Sequence, residues 1–309
     1  MENFDFFTLK TDLADENDEI LRTRTPNLCG IETKKSTING AEIFEMNVKD
    51  EKGEELTGKN KGRYITVNVG RTEFFDSTTF ERVCGVLAGC MSSFTEICDG
   101  AILLAGLGNP AIYADSVGTQ TAENFIVTRH IKQSSPELFN KFSFRETCAV
   151  LPNVFGNTGV EAAQMIKGVV DDVHPSCIIA VDSLSSRRLS RLCTTVQLCD
   201  TGICPGSGVG NVRAEISKKT MGVPVIAIGV PTVVNAGTLA RDLLSECGVE
   251  KNQLSDEMRK MLARQIGDDC YVSPKNCEKD VKSISRLIGF SLNAAIHKGI
   301  EFSQMHDFL

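Results

Sequence analysis

The chain has 309 residues, and 33 Lys or Arg against 40 Asp or Glu give it a formal net charge of -7. A chain of this length can bury a full hydrophobic core without disulfide bonds, which excludes collagen-like, disordered and small disulfide-stapled proteins. The acidic balance argues against a partner gripped through phosphate groups, because nucleic-acid binders usually carry a basic face. We therefore expect any macromolecular substrate to be protein and predict no direct binding of nucleic acid.

The twelve cysteines are interpreted as mostly reduced, small core residues of a cytoplasmic protein. No Cys-x-x-Cys spacing occurs, so the motif of a zinc ribbon or of thioredoxin is missing. The N-terminus, MENFDFFTLK, lacks the basic and apolar regions of a secretory signal. The longest apolar stretches, Ala101–Leu107 and Val223–Val234, are well short of the ~20 residues that a membrane span needs. We expect no membrane association.

The first 60 residues are polar and are expected to contribute little to the core. Within them, the charged block Lys49–Lys61 is interpreted as an exposed turn or hairpin tip. Alternating β-branched and polar residues then predict a half-buried strand over Arg63–Val69. Apolar residues at helical spacing predict a helix over Thr78–Met91.

From residue 101 onward, continuous apolar runs alternate with amphipathic helices, a pattern typical of parallel strands covered on both faces. The predicted strands are Ala101–Leu107, Cys177–Val181, Thr194–Leu198 and Val223–Gly229. The predicted helices are Ser116–His130, a helix from a Thr158–Glu161 capping box to His174, then Ala236–Cys247, Leu254–Ile266 and Val281–His297. Because strand, helix and strand in this order imply parallel pairing, the sequence predicts one three-layer α/β/α domain. Its central sheet is mostly parallel, and a polar N-terminal appendage precedes it.

Two aspartates follow predicted strands directly. Asp115 lies in the loop Gly106–Gly118 and Asp182 follows Cys177–Val181. Ligands of parallel sheets bind at the carboxyl ends of the strands, so both side chains are expected at one edge. Two carboxylates that meet across a cleft can share a proton and hold a water for attack on an amide. Asp115 and Asp182 are therefore the predicted catalytic pair.

Structural alternatives remain for these residues and loops. Asp115 is also suited to cap a following helix, which would stabilise the fold by about 1 kcal/mol. Asp182 is likewise suited to cap the segment Ser183–Leu192. Gly106–Ala111 nearly fits the dinucleotide fingerprint, but Pro110 breaks its geometry. Gly206–Gly210 lacks a P-loop ending, and the chain has neither a Gly-x-Ser-x-Gly elbow nor a His-Glu-x-x-His helix. A Cys–His nucleophile pair has no local signature here but stays open.

Several long blocks, in order along nearly the whole chain, resemble the germination proteases of spore-forming Firmicutes. They are Gly106–Asn109, Ala114–Gly118, Glu123–His130, Asn157–Glu161, Ile179–Arg187, Asp200–Asn211 and Gly222–Val234. The resemblance implies an endopeptidase that cleaves the small acid-soluble proteins coating spore DNA, so that outgrowth begins. It also implies a homotetramer in the spore core, made as a zymogen that removes a short N-terminal propeptide.

The family's two essential aspartates match Asp115 and Asp182. The implied fold is similar to that of hydrogenase-maturation proteases, which use carboxylates and a His around nickel. Those enzymes have an acidic residue where Ser116 stands here. We accordingly expect no metal and no cofactor.

The segment Lys10–Ala14 resembles the family's Arg-Thr-Asp-Leu-Ala sequence near the processing site, with Lys10 in place of Arg. Residues 1–15 are thus predicted to be propeptide-like and 16–309 to form the protease domain, with processing among Thr11, Asp12, Leu13, Ala14 and Asp15. Positions at or after strand ends give the substrate-cleft candidates Asn109, Arg187, Thr195, Asp200, Gly206 and Gly208. Two other functions stay open: a maturation-type, possibly metal-dependent protease for one partner protein, and a non-catalytic peptide- or nucleotide-binding module.

Overall fold

A computed structural model describes residues 10–24, 28–95, 98–206, 210, 213–249, 255, 257–258, 261 and 270–309. Its strands are β1 (Ile31–Ile38), β2 (Ala41–Val48), β3 (Gly62–Asn68), β4 (Ile102–Gly106), β5 (Thr147–Val150), β6 (Cys177–Ser186), β7 (Thr195–Cys199), β8 (Val225–Asn235) and β9 (Tyr271–Val272). Its helices are α1 (Ala14–Arg24), α2 (Glu51–Thr57), α3 (Ser77–Thr95), α4 (Val117–Ala122), α5 (Arg129–Ser134), α6 (Pro136–Lys141), α7 (Phe155–Thr158), α8 (Ala162–Val173), α9 (Lys218–Met221), α10 (Ala236–Glu246) and α11 (Cys277–Ile296). Short 3-10 turns lie at Thr72–Phe74, Tyr113–Asp115, Leu189–Arg191 and Phe302–Phe308.

All nine strands join one sheet in the order β1-β2-β3-β7-β8-β6-β4-β5, and β9 pairs with β8. The α/β class is confirmed. The sheet is mixed rather than mostly parallel: β8, β6, β4 and β5 run parallel, whereas β1, β2, β3 and β7 are joined by antiparallel pairs. An apolar run such as TTVQL predicts a strand but carries no information on its direction, which explains the difference.

Helices cover both faces of the sheet, as predicted. In β4 and β6, Leu104 and Ile179 pack into the core beneath α3, α4 and α11, whereas Leu103 and Ile178 pack on the opposite face against α8. Because β4 and the first half of β6, Cys177–Val181, are buried on both sides, they are apolar at successive positions rather than at every second one. On this second face, α1 covers the antiparallel half, where Ala14 packs with Met46.

The N-terminal region contributes more to the fold than its polarity predicts. β1 and β2 extend the sheet, and Leu13 and Met46 are completely buried. The charged block taken for a hairpin tip contains α2. Asp50 caps this helix by accepting the Gly53 N–H at 3.0 Å, and Gly58 ends it in the left-handed conformation. The many charges of this block hid its helical periodicity.

Two predicted helix boundaries were also wrong. The stretch 116–130 forms α4 and the start of α5 instead of one helix. The capping box of α8 is formed by Glu161 and Gln164 rather than by Thr158, because Gly159 turns left-handed after α7 and separates Thr158 from the helix. The predicted helix over 254–266 lies mostly outside the described residues.

The cysteines are less uniformly buried than expected. All twelve are free thiols in the structure; five are buried and three are exposed. Within the described part of the chain, no helix is both long enough and apolar enough to cross a membrane.

Candidate active site

A cavity of about 330 Å³ opens where β4 and β6 end. Its wall combines the loop after β4, the start of α8, the end of β6 and the segment after β7. Lining residues include Asp12, Leu107, Gly108, Asp115, Phe155, Ala163, Asp182, Leu184, Ser185, Gly206 and Arg213. Asp115 and Asp182 both line this cavity, so the structure brings together the two aspartates that the sequence placed at one edge of the sheet.

Asp182 is the more buried of the two aspartates. It is only 6% exposed, and its Oδ1 accepts the Ser183 N–H at 2.9 Å. Burial, followed by the charges of Asp115 and Asp12, raises its pKa to about 8. Burial also raises the pKa of Asp115, but the Asn109 N–H at 3.0 Å from its Oδ2 opposes that increase. At neutral pH a pKa of about 8 keeps Asp182 protonated, so that its side chain can donate a proton.

Neither aspartate serves as a helix cap. The residue before α4 is Ser116, and the carboxylate of Asp115 turns back to the loop at Asn109. Asp182 lies inside β6, which continues to Ser186, so no helix follows it directly. Both carboxylates are thus left for the cavity.

The glycine-rich loop after β4 is explained by close packing. Gly108 has a φ of +99°, and a Cβ there would lie 1.9 Å from the carbonyl oxygen of Asp115. A Cβ on Gly106 would lie 2.5 Å from the carbonyl oxygen of Gly118. These glycines fold the loop so that Asp115 faces Asp182, which accounts for the fingerprint-like spacing without a dinucleotide.

A third carboxylate, that of Asp12, enters the same cavity. The Asp12 N–H donates to the carbonyl oxygen of Ser185 at 2.9 Å, and the Ser185 N–H donates to Asp12 Oδ2 at 2.8 Å. Burial raises the pKa of Asp12. The segment that sequence comparison placed near a processing site therefore lies beside the two aspartates.

The residues around Asp12 are firmly held. Leu13 and Ala14 are completely buried. Glu16 accepts the backbone N–H groups of Arg187 at 2.7 Å and of Arg188 at 3.0 Å. The Asp15 carboxylate forms an ion pair with the Arg191 guanidinium at 2.5 Å, and the Thr11 hydroxyl donates to Glu16 Oε2 at 2.5 Å. Each end of the Asp12–Leu13 peptide is thus fixed relative to β6.

A family model described as germination protease matches residues 9–246. The chain belongs to the germination protease family. The germination protease of Bacillus subtilis is 41% identical over 95% of this chain and 95% of its own length. That of Caldanaerobacter subterraneus is 37% identical over 97% and 98%, and that of Clostridium acetobutylicum is 33% identical over 98% and 99%. This germination protease family member is therefore a peptidase.

One of the predicted cleft residues of this family member lines the cavity, and a second is next to a lining residue in the chain. Gly206 lines its wall. Asn109 lies beside Gly108, and its backbone N–H holds Asp115. Gly208 lies outside the described residues.

The other three cleft candidates do not line the cavity. Arg187 forms an ion pair with Asp242, in which its Nε donates to Oδ1 at 2.5 Å. Thr195 is completely buried within β7. Asp200 accepts the Arg63 N–H at 2.8 Å. Because β7 is antiparallel to β8, its carboxyl end lies at the opposite edge from Asp182, which is why the strand-end rule misplaced Asp200.

Two polar residues near Asp12 were missed by the sequence analysis. They are Lys59 and Gln197, whose side chains donate to the Asp12 carbonyl oxygen at 2.8 and 2.9 Å. Gln197 had a usable signal, because a glutamine within an otherwise apolar strand such as TVQLC needs a buried partner. No sequence pattern singles out Lys59, because it lies among many other charged residues in the chain. Within the described residues, no three or more His, Cys, Asp or Glu side chains are grouped so as to hold a metal ion.

The raised pKa of Asp182 predicts a pH-dependent stability. Its folded pKa of about 8 lies above the ordinary 3.8, so the folded state binds a proton that the unfolded state loses between these values. The contribution of Asp182 to the free energy of unfolding is therefore complete below about pH 4 and is lost as the pH rises through about 8. We expect Asp182→Asn to remove this loss and to raise the free energy of unfolding at pH 8 by about 2 kcal/mol or more. Urea unfolding of the intact chains at several pH values measures it. Equal stability of the two chains at high pH would contradict the assignment.

Proposed function

We propose that this chain is an endopeptidase that initiates the degradation of small acid-soluble spore proteins during spore germination, through a water activated by Asp115 and Asp182. Membership of the germination protease family supports the substrate class and the biological role. The observation that carries the mechanism is that the two aspartates line one cavity, in which burial and the charge of Asp115 raise the pKa of Asp182 to about 8. The two groups have different environments, as an acid and a base must.

The proposed reaction follows from the two protonation states. Ionised Asp115 takes a proton from a water whose oxygen forms a bond to the carbonyl carbon of the substrate, and the π electrons move to the carbonyl oxygen. The resulting intermediate collapses, the C–N bond breaks and protonated Asp182 gives its proton to the leaving nitrogen. The products are a carboxylic acid and an amine, and the proton then held by Asp115 returns the pair to its starting charge.

The cavity suits an extended peptide. Apolar side chains such as Leu107, Phe155 and Leu184 form much of its wall beside the carboxylates. The net charge of -7 gives the protein no general attraction for a DNA duplex. A substrate that coats DNA is therefore recognised as protein, with its DNA contributing nothing to binding.

We attribute the inactive zymogen state to the segment that ends at Asp12, which blocks the cavity. Because the Asp12 side chain occupies the cavity and its backbone is bonded to Ser185, a substrate and this segment compete for one place. We assign the scissile bond to Asp12–Leu13, because Asp12 lines the same cavity as the two aspartates. Its hydrolysis would release residues 1–12 and open the cavity, within the processing region Thr11–Asp15.

Assembly and location follow from the family resemblance. We infer a homotetramer located in the cytoplasm of the forespore and in the spore core. Light scattering of the purified protein measures the assembly.

Incubation of the purified protein with a panel of small acid-soluble spore proteins tests the proposal. Mass spectrometry of the products is expected to show a few discrete internal cuts, while an unrelated unfolded protein of similar length stays intact. Cleavage of one unrelated partner protein only would indicate a maturation-type protease, and binding without cleavage a peptide-binding module. Activity lost to a chelator and restored by one stoichiometric metal would replace the acid–base pair by metal ligands.

A further inference from the structure

One backbone carbonyl in the candidate site receives two side-chain donors. The carbonyl oxygen of Asp12 accepts Lys59 Nζ at 2.8 Å and Gln197 Nε2 at 2.9 Å. Peptide carbonyls inside proteins usually accept one backbone N–H. Two converging donors, one of them a cation, are the arrangement that stabilises an oxyanion when a carbonyl is attacked.

The sheet register places these donors opposite the aspartates. Gln197 pairs with Gly229 in β8, and Gly229 pairs with Asp182 in β6. Residues in one such row point to the same face of the sheet, and two strand spacings separate Gln197 from Asp182 by about 10 Å. This face is the one on which the cavity and α1 lie. A water, a carbonyl group and an amide donor fit in line across that distance.

Gln197 also fixes the peptide on the far side of the bond after Asp12. Its Oε1 accepts the Ala14 N–H at 2.6 Å while its Nε2 donates to the Asp12 carbonyl. One amide group therefore holds both neighbours of Leu13. The glutamine is 7% exposed, so these bonds form away from water, where they orient the peptide most strongly.

Lys59 is placed as a cation that water screens little. Its Nζ lies over the ring of Tyr64, 5.5 Å from the ring centre. Burial lowers its pKa, and the nearby acidic groups of Asp12, Cys199 and Asp15 oppose that change. A positive charge held in such surroundings stabilises a developing negative charge better than an exposed lysine does.

We propose that Lys59 and Gln197 are catalytic residues that stabilise the oxyanion formed on the carbonyl of the bond being cleaved, first at Asp12–Leu13. This proposal rests on the proposed endopeptidase function. As the water attacks, the carbonyl oxygen takes up the π electrons and becomes an anion. Lys59 Nζ and Gln197 Nε2 strengthen their bonds to it, and neither loses its proton. A substrate carbonyl that later occupies the same place meets the same two donors.

The test compares Lys59→Met and Gln197→Glu, each close in shape to the natural side chain but without the donor. We expect first-order self-processing, followed by intact mass, to slow about 100-fold in each variant. Lys61→Met removes an exposed lysine two residues away and is expected to process at the wild-type rate. Lys59→Arg, which restores a charged donor, is expected to recover at least a tenth of the wild-type rate.

A second measurement separates catalysis from simple anchoring of the segment. In an Asp182→Asn background, where the bond stays intact, hydrogen exchange of the amides of residues 12–16 is expected to change about threefold or less when Lys59→Met is added. An oxyanion donor acts mainly in the transition state, whereas an anchor would show a large loss of protection.

The outcomes distinguish a failure of the oxyanion assignment from a failure of the proposed endopeptidase function. Rates within threefold of wild type in both donor variants, with Asp182→Asn uncleaved, overturn the oxyanion assignment and leave the endopeptidase in place. The oxyanion assignment is also overturned if hydrogen exchange of residues 12–16 increases by the same factor as the processing rate decreases. If the wild-type chain does not process itself, the same variants are made in a chain produced to begin at Leu13 and compared in cleavage of small acid-soluble spore proteins. Absence of that cleavage by the truncated chain with otherwise wild-type sequence contradicts the proposed function itself. If Lys59→Met or Gln197→Glu melts well below wild type, Lys59→Leu or Gln197→Met, which also lacks the donor, replaces it in the comparison.

Discussion

In a chain produced to begin at Leu13, Asp182→Asn and Asp115→Asn are each expected to reduce kcat for cleavage of a small acid-soluble spore protein by about 10³- to 10⁴-fold. Asparagine keeps the size of the side chain and can still accept the Ser183 or the Asn109 N–H. It can neither take a proton from water nor give one to the leaving nitrogen. The loss is therefore expected in kcat, with KM little changed, because the cavity keeps its shape.

The matched control is Asp171→Asn, which alters an exposed aspartate of α8 that pairs with Lys167 at 2.8 Å. We expect full activity from this variant. Initial rates measured by mass spectrometry, with circular dichroism and light scattering on the same samples, show whether fold and assembly are kept. Near-normal cleavage by either Asp115→Asn or Asp182→Asn would remove the aspartate mechanism.

The part of the site that sequence predicted is the part built by adjacent strand ends. β4 and the first half of β6 are apolar, and helices lie between the two strands in the chain, so their parallel pairing and their shared edge follow from the order of the elements. Asp115 and Asp182 are 67 positions apart in the chain, yet the sheet brings them to one cavity. A rule about parallel strands was enough to find them.

The part that sequence could not predict depends on pairings between distant segments. Asp12 reaches the cavity because its backbone N–H and its side chain both bond to Ser185, 173 positions later in the chain. Gln197 reaches Asp12 only because β7 joins β8 in the antiparallel direction, and no local pattern specifies that choice. Lys59 follows a helix whose charges made it resemble a loop. Each of these residues needed the register of the whole sheet.

The second large effect concerns the segment that ends at Asp12. We expect the intact chain to cleave an added spore-protein substrate at about 1% or less of the rate of the processed chain. A covalently attached segment competes at an effective concentration in the millimolar range, which a substrate at micromolar concentration cannot match. Processed protein is expected to begin at Leu13, with residues 1–12 lost.

Intact mass and N-terminal sequencing during incubation at about pH 5 to 8 follow the processing, because Asp182, with a pKa of about 8, is protonated over most of this range. Asp182→Asn is the control that should keep its first residue throughout. A chain produced to begin at Leu13 is expected to cleave substrate without a lag. A wild-type chain that keeps residue 1 and is fully active would contradict the assignment, since the Asp12 carboxylate would then occupy the cavity without blocking it. A new N-terminus elsewhere in Thr11–Asp15 would keep the zymogen but move the scissile bond, and the carbonyl held by Lys59 and Gln197 would then belong to an anchor.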